Sequence, residues 1–256
     1  WVDGEGASYS FTGSQLDAAS SANVFSYTLK ANTKADNYTI NKTEGTLTVN
    51  AITDKVTVTI TENSGAEKYD GTEKTVTGYA VTSIDNALYT EADFSFNGSA
   101  SVSGTNAGSY GMELKATDFA NTNNNFANVT FVIVDGELEI TKRQVTLTSA
   151  DDEKVYDGTA LTNSTVTVSG DGFAEGEGAT YNVTGTQTEV GSSANAFTYT
   201  LNEGTKAGNY DITKVEGTLT VTADGVTLGG IVSVTCGETT EWEIYGEILT
   251  DIPAAR

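Results

Sequence analysis

The chain has 256 residues, a formal charge of −22, no histidine and a single cysteine, Cys236. That charge excludes a nucleic-acid partner, since phosphates must be neutralised to be held, and it disfavours docking on an anionic membrane. No apolar run approaches the ~18 residues that insert across a bilayer, the lone cysteine rules out an internal disulfide framework, and the lack of histidine removes His-based triads and His-ligated metal centres.

Taken from the N-terminus, Phe25, Tyr27 and Leu29 fall on one face of a period-2 ladder, and Leu47 and Val49 continue the alternation. The segment near Lys34–Tyr38 reads as a helical turn. Val56–Ile60 (VTVTI) alternates apolar and polar residues, and turn signals come after it at Asp70-Gly71, Asn97-Gly98 and Asp135-Gly136. Val145–Thr148 and Thr165–Ser169 alternate again, around turns at Asp157-Gly158 and Asp171-Gly172. Phe197, Tyr199 and Leu201 repeat the early face, Lys206–Tyr210 repeats the early turn, and Leu219 and Val221 repeat the early close. Abundant threonine fits the β-branched preference of strands. An apolar content of 38% suffices where alternate residues face a core.

These echoes are one unit written three times. Ala92–Leu114 lies over Ala179–Leu201 without a gap, and Ala7–Leu29 matches the same segment. The Tyr69-Asp70-Gly71-Thr72 motif returns as Tyr156-Asp157-Gly158-Thr159. The repetition sets the expected boundaries: 1–51, a repeat whose front strands are missing; 52–141 and 142–223, complete repeats; and 224–256, a divergent β tail or the start of a further domain. Extra residues in the second repeat are expected in the Asn-rich loop near Asp118–Asn128. The expected fold is all-β: tandem immunoglobulin-like β-sandwich repeats in an elongated array, with β-grasp-like repeats as the alternative. Without front strands, the first repeat should be disordered, rearranged or completed by other strands, for example from Val226–Ile252. The mid-unit start points to a processed form or a fragment of a longer protein.

The openings Lys68-Tyr69-Asp70-Gly71-Thr72 and Tyr156-Asp157-Gly158-Thr159, with the later Ala207–Tyr210 and the closing Glu-Gly-Thr-Leu-Thr-Val, resemble YDG/MBG-type repeat domains of bacterial cell-surface proteins and adhesins. The resemblance implies a secreted, extracellular module on a bacterial surface that works in cell adhesion, and it supplies no catalytic residues.

In each Tyr-Asp-Gly-Thr motif the expected work is structural. Asp accepts amides two residues on, Gly takes positive φ, and the Tyr ring covers the core with a solvated hydroxyl. Tyr38, Tyr110 and Tyr210 read as latches with the hydroxyl bonded to a turn. Trp1 and Trp242 are glycan-stacking candidates, against ordinary core, with Trp242 preferred of the two. The acids of Asp151–Glu153 and Asp171–Glu177 raise Ca²⁺ as a candidate, against solvated turns; otherwise no cofactor, metal or catalytic residue is expected. The reading is therefore a non-enzymatic surface segment acting as an adhesin stalk or adhesive module. The alternatives are a carbohydrate-binding accessory module of a secreted enzyme and a strand-complemented assembly subunit. Its partner would be a host or bacterial surface protein or a glycan, with head-to-tail self-association as a further possibility. Membrane insertion is not expected.

Overall fold

A computed structural model describes residues 1–225. Cys236, Trp242 and the proposed strand donor Val226–Ile252 lie outside the described residues. Among the described residues the regular structure is strands and 3-10 turns of three residues, so no α-helix packs on a sheet and the β-grasp alternative is set aside. The fold is all-β, with several small sheets arranged as β-sandwich repeats and no closed barrel. The chain divides into two compact units, Trp1–Lys68 with Thr72–Thr141, and Tyr69–Gly71 with the residues from Lys142 on.

In the second unit Arg143–Ser149 is a central strand. Its alternation buries Val145, Leu147 and Ser149 on one face. It pairs antiparallel with Val166–Gly170 and parallel with Tyr210–Val215. A second sheet centres on Thr218–Thr222, which turns Leu219 and Val221 inward between Asp152–Val155 (parallel) and Gly191–Ala194 (antiparallel). A hairpin of Ala179–Val183 with Phe197–Leu201 adds buried Phe197. Ser149 Oγ donates to the Asn195 carbonyl and accepts the Gly217 amide. Gly217 must lack a side chain, because a Cβ there would lie 2.4 Å from the Ser149 carbonyl oxygen.

The second repeat adopts the same plan in the first unit. Val56–Glu62 sits between Val129–Val134 (parallel) and Tyr79–Ile84 (antiparallel), and Glu137–Thr141 sits between Gly65–Lys68 and Gly108–Gly111. Val56, Val58 and Ile60 are fully buried among Tyr89, Met112, Leu114, Phe119, Phe126 and Phe131. Each buried Val or Ile contributes roughly 1.5–3 kcal/mol. Where the third repeat has Ser149, this one has Glu62, which is 3% exposed and accepts the amides of Leu114 (2.5 Å) and Gly136 (2.8 Å).

The register within the second repeat differs from the ungapped sequence match. Phe94–Phe96 pairs with Phe119–Asn121, so Phe119, not Tyr110, occupies the place of Phe197. Tyr110 lies instead in Gly108–Gly111, paired with Glu137–Thr141 as Gly191–Ala194 pairs with Thr218–Thr222. The extra residues accordingly extend the Ser101–Gly104/Lys74–Thr77 ladder and the stretch from Met112 to Asp118. A period of two is degenerate: Tyr110, Met112 and Leu114 mimic Phe197, Tyr199 and Leu201 without being their counterparts.

The first repeat is neither disordered nor rearranged. Ala7–Phe11 pairs with Phe25–Leu29, and Ala19–Asn23 with Gly45–Val49, in the registers of the third repeat. One ladder is lost with its missing partner. Tyr210–Val215 is a strand because Arg143–Ser149 lies beside it, whereas the corresponding Tyr38–Thr43 forms no ladder. The faces of the two ladders stay open, and Tyr9 (54% exposed) and Phe11 (65% exposed) stand on one of them.

Candidate functional site

A dense polar arrangement among the described residues of the second unit is built around Glu177. Ala174 and Glu177 form a turn closed by the Glu177 amide on the Ala174 carbonyl at 3.0 Å. The turn aims the carboxylate at two phenols. The Tyr210 hydroxyl donates to Oε2 at 2.7 Å, and the Tyr69 hydroxyl donates to Oε1. The Ala174 amide donates to the Tyr210 hydroxyl at 3.0 Å, and the Asn209 side chain hydrogen-bonds the Tyr69 hydroxyl. The Tyr69 and Tyr210 rings meet edge to face at 5.7 Å, and Phe173 packs edge-on to Tyr210 at 5.1 Å. Tyr69, Tyr210 and Asn209 are all buried.

Arg143 closes the site. Its guanidinium donates from Nε to the Gly172 carbonyl (2.8 Å), from Nη1 to the Tyr69 carbonyl (3.2 Å) and from Nη2 to the Asp171 carbonyl. A planar donor fork with three backbone acceptors fixes geometry in a way that lysine does not reproduce. Gly71 has φ of +85°, so the chain turns away directly after Tyr69 and Asp70.

The electrostatics are those of a latch. Burial first, and then the Glu177 contact, raise the Tyr69 phenol. Tyr210 is pushed up to about 12, chiefly by burial. Phenols held this firmly protonated are donors at neutral pH and poor bases. The solvated Tyr69 hydroxyl expected from the sequence is instead bonded and buried.

The second copy of the motif is arranged differently. Tyr156 comes directly after Asp152–Val155, bonds its amide to the Thr222 carbonyl at 2.8 Å, and is 40% exposed. Asp157 Oδ1 accepts the Thr159 amide (2.9 Å), the Thr159 hydroxyl (2.8 Å) and Lys154 Nζ (2.7 Å). Lys154 above all, with Thr159, holds this carboxyl well below the usual carboxylate range. Gly158 takes φ of +77°. The loop is thus rigid from its own side chains, with the Tyr156 ring on the surface.

In the first repeat, Tyr38 donates to Glu5 Oε2 at 2.6 Å and accepts the Val2 amide at 3.0 Å, reproducing the Tyr210–Glu177–Ala174 contacts. The Glu5 hydrogen bond raises the Tyr38 phenol in turn. Trp1 stands edge-on to Tyr38 at 4.7 Å, as Phe173 does to Tyr210, and is 54% exposed rather than part of a core. Beside it Trp1, Tyr9, Phe25, Tyr27, Tyr38 and Lys42 line a groove of about 470 Å³. Tyr38 and Tyr210 thus bond their hydroxyls to the turns Val2–Glu5 and Ala174–Glu177, and Tyr110 donates to the Asn106 carbonyl at 2.8 Å, so all three hydroxyls meet turns as expected.

Four of the acids considered for Ca²⁺ are engaged internally. Asp151 accepts the Thr218 amide, Asp152 the Asn163 amide group, Asp171 the Gln144 amide, and Glu177 its two phenols. Among the described residues, no group of three or more acidic, Cys or His side chains is placed to hold a metal ion. Of the motif residues named from the sequence (Tyr69, Asp70, Gly71, Thr72, Tyr156, Asp157, Gly158 and Thr159), Tyr69, Tyr156, Asp157 and Thr159 make the contacts above, and Gly71 and Gly158 take positive φ. Glu177, Asn209 and Arg143 were missed. The signal was a Glu and a Tyr 33 residues apart in both the first and third repeats.

Against known families, the MBG domain family matches residues 55–142. The match covers about a third of the chain and takes in most of the second repeat. The match takes in Tyr69–Thr72, so the motif that resembled a YDG/MBG repeat lies within it. MBG domains of this repeat type occur in bacterial surface proteins, and no helix among the described residues is long and apolar enough to cross a membrane. No curated protein and no solved structure matches the chain.

Proposed function

We propose that this chain is a non-enzymatic spacer of a bacterial cell-surface adhesin, a stalk segment that projects a binding region outward. The observation that carries the reading is the Tyr69 latch. An elaborate polar site among the described residues spends its carboxylate, two phenols and a guanidinium on one another and on backbone, with both phenols held firmly protonated. Such a site stabilises an MBG array and performs no acid–base chemistry. The high negative charge limits self-adhesion along the surface. The test is display. Residues 52–223 are inserted beneath a binding domain on a bacterial surface, and the purified chain is probed on glycan arrays and extracellular-matrix proteins. Longer capture reach without saturable binding by the chain supports the spacer. Saturable binding to any of these ligands replaces it with an adhesive module.

One observation favours a second reading, a carbohydrate-binding accessory module. The groove of Trp1, Tyr9, Tyr27 and Tyr38 offers ring faces of the kind that stack on sugars. Its counterparts argue the other way, since Phe197 and Tyr210 are buried under the Arg143–Ser149 sheet. Glycan binding lost in Trp1→Ala would establish it; an unchanged signal would dismiss it.

A further inference from the structure

The sequence holds one Asn-Gly pair, Asn97-Gly98, and the fold sets it apart from its counterparts. Phe96 pairs with Phe119 as Val183 pairs with Phe197 and Phe11 with Phe25. Asn97-Gly98 therefore stands where the first repeat has Thr12-Gly13 and the third has Thr184-Gly185. In those two repeats one carbonyl takes both amides of the pair. Val24 accepts from Thr12 (2.9 Å) and Gly13 (3.0 Å), and Ala196 accepts from Thr184 (2.8 Å) and Gly185 (3.0 Å). In the second repeat the Asp118 carbonyl takes the Asn97 amide at 2.8 Å and not the Gly98 amide.

The seating of the glycine differs to match. A Cβ on Gly13 or Gly185 would lie 2.5 Å from the backbone of Val24 or Asn195, so these glycines are pressed against the neighbouring strand. At Gly98 the nearest atoms belong to the side chains of Phe96 and Asp118. Gly185 is buried and Gly13 half-buried, whereas Asn97 and Gly98 are both exposed. Glycine has no Cβ to hinder the approach of its amide to the preceding side chain. An amide already donating to a carbonyl must first give up that bond. The two Asn-Ser pairs hold their side chains: Asn63 donates to the Thr77 carbonyl, and Asn163 donates to Asp152 and accepts the Thr165 amide.

We propose that Asn97 is a self-modifying site whose sole co-reactant is water. The Gly98 nitrogen gives its proton to solvent hydroxide and attacks Asn97 Cγ. The Cγ–Nδ2 bond breaks, the departing nitrogen takes a proton from water and leaves as ammonia, and a five-membered succinimide remains. Water then opens either ring carbonyl. One opening gives aspartate, and the other gives isoaspartate, with the main chain running through Cγ. Nothing is oxidised or reduced. Either product adds a negative charge to the second repeat. The isoaspartyl form also lengthens the main chain by a methylene beside Phe96, whose ring packs on Tyr79 (5.0 Å) and Phe119 (4.9 Å).

The test is incubation of the full, folded chain at mildly alkaline pH, below the range in which the buried tyrosines ionise. Peptide mass mapping and isoaspartyl methyltransferase labelling read the samples. The Asn97 peptide is expected to exchange its amide for an acid before any other, at a rate rising in proportion to hydroxide, and to carry the label. Asn97→Thr, which installs the residue of the other two repeats, is expected to abolish the change. Thr184→Asn builds a second Asn-Gly pair on the tied Gly185 amide and is expected to keep its new amide while Asn97 is consumed. In urea the two sites are expected to react alike, which separates the fold's contribution from that of the sequence. Circular dichroism checks that Thr184→Asn keeps its strands; Thr12→Asn, beside the tied Gly13 amide, replaces it otherwise. An Asn97 that keeps its amide while other asparagines react, or throughout, overturns the inference. So does label confined to Asp-Gly pairs, or a folded Thr184→Asn chain that reacts at position 184 as fast as at Asn97.

Discussion

Tyr210 donates its hydroxyl to Glu177 Oε2 at 2.7 Å, and Tyr69 takes the other oxygen of the same carboxylate. One acid therefore satisfies two buried phenols, and neither phenol can be removed without leaving part of the carboxylate unpaired. The cost of such a loss exceeds the net worth of an ordinary hydrogen bond, because a charged acceptor is stranded.

Tyr69→Phe deletes one hydroxyl while keeping the ring pair with Tyr210. The expected loss is about 1–2 kcal/mol in the unfolding of the second unit, the scale of a hydrogen bond to a charged group. Tyr156→Phe, at an exposed counterpart, is expected to stay within about 0.5 kcal/mol. Urea unfolding followed by tyrosine fluorescence separates the two. Equal effects would mean that the Glu177 contact contributes nothing.

Alkaline pH should weaken both units. Tyr210 in the second and Tyr89 in the first are each pushed up to about 12 in the folded chain, mainly by burial, against an ordinary value of 10.0. Below pH 10 both the folded and unfolded forms are protonated, and the stabilisation is complete. Between 10 and 12 the unfolded phenol loses its proton and the folded one keeps it, so stability falls on the order of 1.4 kcal/mol per pH unit for each tyrosine. Absorbance titration of the phenolates, with denaturant midpoints across the same range, checks the sign. A midpoint that is flat from pH 10 to 12 would contradict it.

Glu62→Ala is expected to destabilise the first unit by about 2–5 kcal/mol, since the amides of Leu114 and Gly136 lose their shared acceptor inside the protein. Glu62→Gln retains one acceptor oxygen and should recover part of the loss. Ser149 fills the corresponding role for Gly217, so the second unit should unfold as before. Calorimetry that resolves the two transitions reads this directly.

Asp157→Ala is predicted to leave global stability unchanged and to free the loop. The Thr159 amide, now bound to Asp157 Oδ1 at 2.9 Å, should lose its protection against hydrogen exchange. The carboxyl of Asp157 is depressed, so in the native chain that protection is complete at neutral pH and disappears only as pH falls below the ordinary carboxylate range. Protection persisting in the variant would show that Gly158 and the sheet alone set the loop.

Much of the fold was written locally. Phe25–Leu29 and Phe197–Leu201 are strands at the bounds their alternation implies, and the Asp-Gly pairs at 70–71, 157–158 and 171–172 bring positive φ where turns were expected. Register was not legible, because a period of two lets Tyr110 imitate Phe197. The inserting half of the latch was legible as a repeated motif. Its receiving half was not, since Glu177 sits in an acid- and glycine-rich stretch that reads as solvated turn, 108 residues from Tyr69.

Parallel pairing of early with late strands has a mechanical consequence. Arg143–Ser149 lies beside Tyr210–Val215, and Asp152–Val155 beside Thr218–Thr222, the two strands of each pair running in the same direction. Tension that enters at Arg143 and leaves beyond Thr222 drags neighbouring strands past each other in opposite senses. Every bond of both ladders resists at once, as stitches along a seam do, and none can be peeled singly from an end. A domain wired this way meets tension with whole ladders in shear, as the proposed stalk would require.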